Sequence, residues 1–253
     1  MPEESKAVFV SDVDGVIVDS TEECLVIAWN AYQLYSNKGH FIRSPADAER
    51  DYSLHFRSLR NYVRSMDEYL IVFQSERGEI SSQEMFENKM ETLNNDERTR
   101  FGKCFFEARR TFKNGNKKAW IELHHFYPGI RDFILNVRSH CKLYIVTGKD
   151  RESVLDFFEY MDLPLQADSI YDKEIAKNKL SALKMISTRE DLPYSRITFL
   201  DDNITHLIGP LQCGFAVLLA SWGYVMPEHL AKAKEIGIPV VNLEHLNEGW
   251  KVK

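Results

Sequence analysis

Short apolar runs that stop abruptly at small or acidic residues recur along this chain, at Ala7 to Ser11, Leu143 to Val146, Ile197 to Leu200 and Phe215 to Leu219. Runs of this length without polar alternation read as strands buried on both faces. Segments of helical period separate the later ones, and strands alternating with helices predict a parallel sheet covered by helices. Roughly from Thr21 to His125 the texture changes to Glu, Arg, Lys, Leu and aromatic residues, with few glycines and prolines. That interval reads as a helical insertion after the first strand.

Within it, Glu22 to Tyr35 places Leu25, Val26, Ala28, Trp29 and Tyr32 at three-and-four spacing, with Asp19, Ser20 or Thr21 able to cap the helix. Similar periodicity predicts helices over Ser53 to Phe73, Gln83 to Leu93 and Asp96 to Phe112. Lys113-Asn114-Gly115-Asn116-Lys117 is the clearest break. Tyr127-Pro128-Gly129-Ile130 then makes a turn, and Arg131 to Ser139 returns as a helix to the sheet layer. The reading is an α/β fold in two parts. Residues 1–20 and 126–253 form a core with a parallel sheet flanked by helices, and residues 21–125 form an inserted all-helical domain.

The chain's 253 residues suit one large domain, or a core of about 150 residues with a module of about 100. A net charge of -6 and a pI near 5.8 argue against nucleic acid or an anionic membrane as partner. No apolar stretch approaches the roughly 18 residues needed to cross a bilayer, and Met1 to Lys6 lacks a signal-peptide pattern, so a cytoplasmic protein is expected. Cys24, Cys104, Cys141 and Cys213 are scattered without a CxxC pair, which predicts buried free thiols. Adjacent residues on regular structure point apart, so His124 and His125 are read as surface or packing residues, not a metal site. Oligomeric state is not legible.

Three of the predicted strand ends carry chemistry, at the edge where open parallel sheets collect ligands. The first run ends in Asp12-Val13-Asp14-Gly15. On extended backbone, side chains two apart share a side, and two carboxylates about 4 Å apart repel by roughly 4 kcal/mol at an effective dielectric near 20. A cation is therefore expected between Asp12 and Asp14. The second run ends in Thr147-Gly148-Lys149-Asp150, a hydroxyl and backbone amides ahead of a helix start, which can cradle an anion. The third ends in Asp201-Asp202-Asn203. Four carboxylates at one edge suggest magnesium, which takes a few carboxylate and carbonyl oxygens and keeps several waters. A calcium loop fails because Val16 and Ile17 stand where a ligand and a glycine are required, and a P-loop fails because Leu143 stands at its first glycine.

Taken in order, these pieces resemble the haloacid dehalogenase superfamily of aspartate-nucleophile phosphotransferases. Its first motif is matched by Asp12-Val13-Asp14-Gly15 and continued by Val16 to Ser20; its second, a strand ending in Thr or Ser, by Thr147; its fourth, a strand ending in acids, by Asp201 and Asp202. The third, a lysine opening a helix, falls on Lys179 in preference to Lys177, because Lys179-Leu180-Ser181-Ala182-Leu183 has the expected pattern. The core likeness covers residues 7–20 and about 126–245, and the interval 21–125 sits where the family places a helical cap. His206 departs from the commoner acid at its position.

The resemblance implies a Rossmann-like fold and magnesium-dependent hydrolysis of a small phosphorylated metabolite. Asp12 is the implied nucleophile and Asp14 the acid and base. Thr147, Gly148 and Lys179 would bind the phosphoryl group. The metal would take Asp12, the Asp14 carbonyl and Asp202, with Asp201 assisting. Asp14 fits phosphate esters, since members acting on halogens or phosphonates generally lack an acid there. A phosphosugar mutase of the β-phosphoglucomutase type and a catalytically weak binding or regulatory protein are the alternatives. Among Arg43, Arg50, Arg57, Arg60 and Arg64, one could read a second anionic group on the substrate.

Overall fold

The computed structural model describes residues 7–244 and residue 246. Its strands are β1 (Val8–Ser11), β2 (Val18–Asp19), β3 (His125–Phe126), β4 (Lys142–Val146), β5 (Ile170–Tyr171), β6 (Ile197–Asp201), β7 (Ala216–Ala220) and β8 (Val240–Val241). Six of them form one sheet in the order β5-β4-β1-β6-β7-β8, with every neighbouring pair parallel. β2 and β3 pair separately. In the large sheet the chain moves outward on one side of β1 and then on the other. The order therefore reverses between β1 and β6, where doubly wound sheets open a crevice. The four strands expected from the apolar runs are all present; β5 and β8 are two residues each, too short for periodicity to reveal.

By its internal packing the chain divides into two units, Met1–Asp19 with Phe126–Lys253, and Ser20–His125. The second unit is helical: α1 (Thr21–Tyr35), α2 (Arg50–Leu59), α3 (Gln83–Glu91), α4 (Asn95–Gly115) and α5 (Lys117–Glu122), with 3-10 turns at Pro45–Asp47 and Met66–Phe73. The helix expected over 53–73 is thus two elements. α2 stops at Leu59, and a second start is made by Ser65, where Glu68 accepts the amides of Arg64 and Ser65 at 2.5 and 3.1 Å. The expected break at 113–117 narrows to Asn116, whose side chain accepts the Ala119 amide at 3.0 Å and caps α5.

This unit is held by stacked aromatics, with Tyr32 on Phe73 at 4.0 Å and Tyr69 on Phe105 at 5.3 Å between ring centroids. It also contains a buried ion pair. Glu23 of α1 accepts from Arg109 of α4 at 2.6 and 2.8 Å and from the Trp120 indole at 3.2 Å.

The helices of the first unit are α6 (Ile130–His140), α7 (Arg151–Tyr160), α8 (Lys179–Glu190), α9 (Ile204–Cys213) and α10 (Pro227–Ile236). Gly129, at φ 80°, supplies the left-handed residue that turns the chain into α6. The central strand β1 is buried throughout, with Val8 and Val10 in the core formed with Phe199, Leu207 and Val217 and Phe9 edge-on to Phe133 at 5.5 Å. The cysteines are free, but only Cys24 is fully buried; the other three, expected to be buried, are partly exposed. Among the described residues no helix is long and apolar enough to cross a membrane.

Candidate active site

The register of the central strands sets the site. Ser11 stands opposite Ile145 on β4 and Leu200 on β6, so the next residues, Asp12 just past β1 and Asp201 at the end of β6, lie at one level and Thr147 follows a residue later. The Asp12 amide donates to the Leu200 carbonyl at 3.0 Å, fixing the nucleus of the site to β6. β1 itself ends at Ser11. The chain then bends at Val13, whose carbonyl accepts from Ile17 at 2.8 Å, and Gly15 takes φ 80°. The extended geometry expected through Asp14 is therefore replaced by a turn.

Each acid of that turn has its own ammonium group. Asp12 accepts from Lys179 through one oxygen and from the Val13 amide at 2.7 Å through the other. Asp14 accepts from Lys149 at 3.0 Å. The cation expected between Asp12 and Asp14 is thus supplied in part by two lysines. Lys149 is not singled out as a site residue from the sequence, where it stands only within the Thr147-Gly148-Lys149-Asp150 run read as an anion cradle. Its signal was a lysine two places beyond a strand-terminal threonine at the same sheet edge.

Lys179 is the first residue of α8, and Asn178 caps that helix by accepting the Ser181 amide at 2.8 Å. The cap pins the lysine's backbone so that Nζ reaches both Asp12 and Asp201, the latter at 2.6 Å. Lys177 is exposed. Asp201 is wholly buried and fully engaged, accepting the Asn203 amide at 2.7 Å and lying 3.2 Å from His206 Nδ1 as well as on Lys179. Asp201, expected to assist with the metal, stands beside Asp12 and has Lys179 and His206 as protein partners of its carboxylate.

Burial alone would raise the Asp201 carboxyl, but Lys179 and His206 outweigh it and hold it well below the usual carboxylate range. Asp12 shares the same lysine, and burial leaves its carboxyl raised despite that partner. Burial opposes the Lys179 charge as well, and the attraction of Asp12 and Asp201 holds it above the ordinary lysine range.

Thr147 and Asp202 complete the edge. The Thr147 amide donates to the Tyr171 carbonyl at 3.1 Å, and its hydroxyl accepts the Lys149 amide at 3.2 Å. A side chain at Gly148 would meet nothing within 4 Å, so the turn after β4 faces open space. The Asp202 carboxylate accepts the Tyr224 amide at 2.7 Å and lies so close to the turn that a Cβ on Gly15 would sit 2.0 Å from its Oδ2. Only glycine fits there, both for φ and for space. α9 is capped by Asn203, which accepts the Thr205 amide at 3.0 Å.

The residues present suit a hard divalent cation. Asp12, Asp201 and His206 bring possible ligand atoms within 4.8 Å of one another. With Asp14 and Asp202 the edge holds two more carboxylates than ammonium groups, an excess of negative charge that favours a cation. Carboxylate and carbonyl oxygens are the donors magnesium prefers.

The fold and this edge define a doubly wound α/β protein with aspartates at the switch point of its sheet. A family model of haloacid dehalogenase-like hydrolases matches residues 6–214, and the chain belongs to that family. Among curated proteins none is a match to this chain. Solved structures similar to it include a provisionally assigned phosphoglycolate phosphatase from Lactobacillus delbrueckii subsp. bulgaricus (19% identity, 97% of this chain and 98% of that one covered, TM-score 0.65). A haloacid dehalogenase-like family hydrolase from Streptococcus pneumoniae is similar at 16% identity, 94% of both chains covered and TM-score 0.59. A phosphoglycolate phosphatase predicted for Haemophilus somnus is similar at 14% identity, 90% and 91% covered and TM-score 0.58. At these identities the likeness is one of fold.

Proposed function

We propose that this hydrolase cleaves a small phosphomonoester through an aspartyl-phosphate on Asp12, with magnesium as cofactor. The observation that carries this reading is the Asp12 carboxylate, buried at the switch point and bonded to the ammonium of Lys179. A carboxylate placed there can attack phosphorus while the lysine offsets charge on both partners. In the first step an Asp12 oxygen bonds to phosphorus, the ester oxygen departs, and that oxygen takes a proton from Asp14. In the second, Asp14 takes a proton from water as the water oxygen bonds to phosphorus, which releases inorganic phosphate and restores the Asp12 carboxylate. Thr147 and the Gly148 amide bind phosphoryl oxygens. Asp201 orients Lys179. A bound magnesium ion, held by Asp12, Asp202 and the Asp14 carbonyl, would supply the positive charge that lets a phosphate dianion enter.

The substrate class is a small phosphorylated metabolite, and the helical unit at 20–125 would act as a cap that selects it. A panel of such esters assayed for phosphate release, with and without chelator, tests the proposal. Wild-type protein should turn over at least one ester, chelator should abolish turnover and Asp12→Asn should lower it by at least about a thousandfold. Turnover persisting in pure Asp12→Asn protein would remove the nucleophile assignment. Isomerisation of a sugar phosphate without release of phosphate would show that a sugar, not water, takes the group.

A further inference from the structure

At the sheet edge the family reading gives no task to the buried Lys149. Lys149 lies in the turn after β4, its side chain is 1% exposed, and its ammonium sits 3.0 Å from Asp14 Oδ1 and over the Phe157 ring at 5.4 Å from the centroid. We propose that Lys149 is a positioning residue for proton transfer, aiming the Asp14 carboxyl at the leaving oxygen. The proposal rests on the aspartyl-phosphate reading, in which Asp14 protonates that oxygen.

The surroundings are built to hold this lysine in place. Its amide donates to the Thr147 hydroxyl at 3.2 Å, so the strand end is folded on itself. The next residue, Asp150, caps α7 by accepting the Ser153 amide at 2.9 Å and its hydroxyl at 2.8 Å. The Lys149 backbone is therefore clamped between a strand end and a helix start, and its ammonium lies over an aromatic face. An ammonium taken this far out of water is costly unless it is paired, and Asp14 is its ion-pair partner.

Asp14, by contrast, keeps 31% of its side chain exposed, as exchange of a proton with substrate and water requires. A charge-assisted hydrogen bond at one oxygen fixes the rotation of the carboxyl and so the direction of the other. Misplacement of a reacting group by about 1 Å can cost about a hundredfold in rate. Lys179 cannot do this work, because its ammonium is committed to Asp12 and Asp201. The two lysines thus divide the site, one serving the nucleophile and one the acid.

Steady-state kinetics of Lys149→Met, Lys149→Arg, Asp14→Asn and the double variant Asp14→Asn/Lys149→Met test this, each on an alkyl phosphate and on p-nitrophenyl phosphate. The alkoxide needs a proton to leave and the nitrophenolate does not. Lys149→Met should lower kcat on the alkyl ester by about tenfold to a hundredfold, with a smaller loss on the nitrophenyl ester. KM should stay within about twofold and the double variant within about twofold of Asp14→Asn alone, because the lysine acts only through that acid. Lys149→Arg, which keeps the charge, should recover most of the lost rate.

Equal losses on both esters, losses that multiply in the double variant, or a raised KM with unchanged kcat would overturn the assignment. So would an arginine variant as slow as the methionine one. Wild-type protein that hydrolyses neither ester would overturn the underlying reading along with it, whereas active wild-type protein with multiplying losses would overturn this inference alone.

Discussion

Lys179 and Lys177 stand two residues apart, yet one ammonium bridges two buried carboxylates and the other residue is exposed. The difference comes from Asn178, which starts the helix at Lys179 and aims that side chain at the sheet edge. Lys179→Ala should therefore lower kcat by more than about a hundredfold, while Lys177→Ala stays within about twofold of wild type. The opposite order in measured kcat would reassign the lysine. Asp201 gives a second prediction at this scale. Its folded carboxyl is held below the usual range near pH 4, so it contributes stability above that value and loses it as pH falls. Unfolding midpoints measured from pH 6 down to pH 3 should fall less steeply in Asp201→Asn than in wild type; an equal or steeper slope would contradict the assignment.

At the scale of elements, the helical unit depends on one buried pair. Arg109 on α4 grips Glu23 on α1 through two hydrogen bonds, and Trp120 beside α4 adds a third to the same carboxylate. Removing the arginine leaves an uncompensated buried charge, so Arg109→Met should destabilise the protein by about 3–5 kcal/mol in urea unfolding. A loss under about 1 kcal/mol would show that the unit is held by its aromatic stacks alone. The pair itself was not legible, since 86 residues separate the partners and helical period does not say which helices touch. Other features were. Ser65 with Glu68 is a cap signature present in the sequence and marks a boundary that hydrophobic periodicity ran across at 53–73, while Asn116, the cap of α5, lies within the break read at 113–117.

For the molecule as a whole, the alternation of strands and helices predicts a parallel sheet, and the apolar runs locate the strands that carry the site. The strand order is another matter. Asp12 meets Asp201 because β1 and β6 are neighbours across the reversal of the sheet, a fact that no local pattern contains. The same holds for Asp14 and Lys149, which come from β1 and β4 on the other side. Sequence reading thus gathers the acids at one edge and leaves the pairing of lysines with them open. It could not have distributed two lysines among four aspartates, nor shown that His206 faces Asp201 where an acid was expected.

The most direct test of the account is to trap the covalent intermediate. Wild-type protein turning over a phosphate ester, quenched and reduced with borohydride, should yield homoserine at position 12 in peptide mass spectra, with none in Asp12→Asn. Homoserine at another aspartate, or an unaltered Asp12 under conditions of full turnover, would contradict the claim that this residue carries the phosphoryl group.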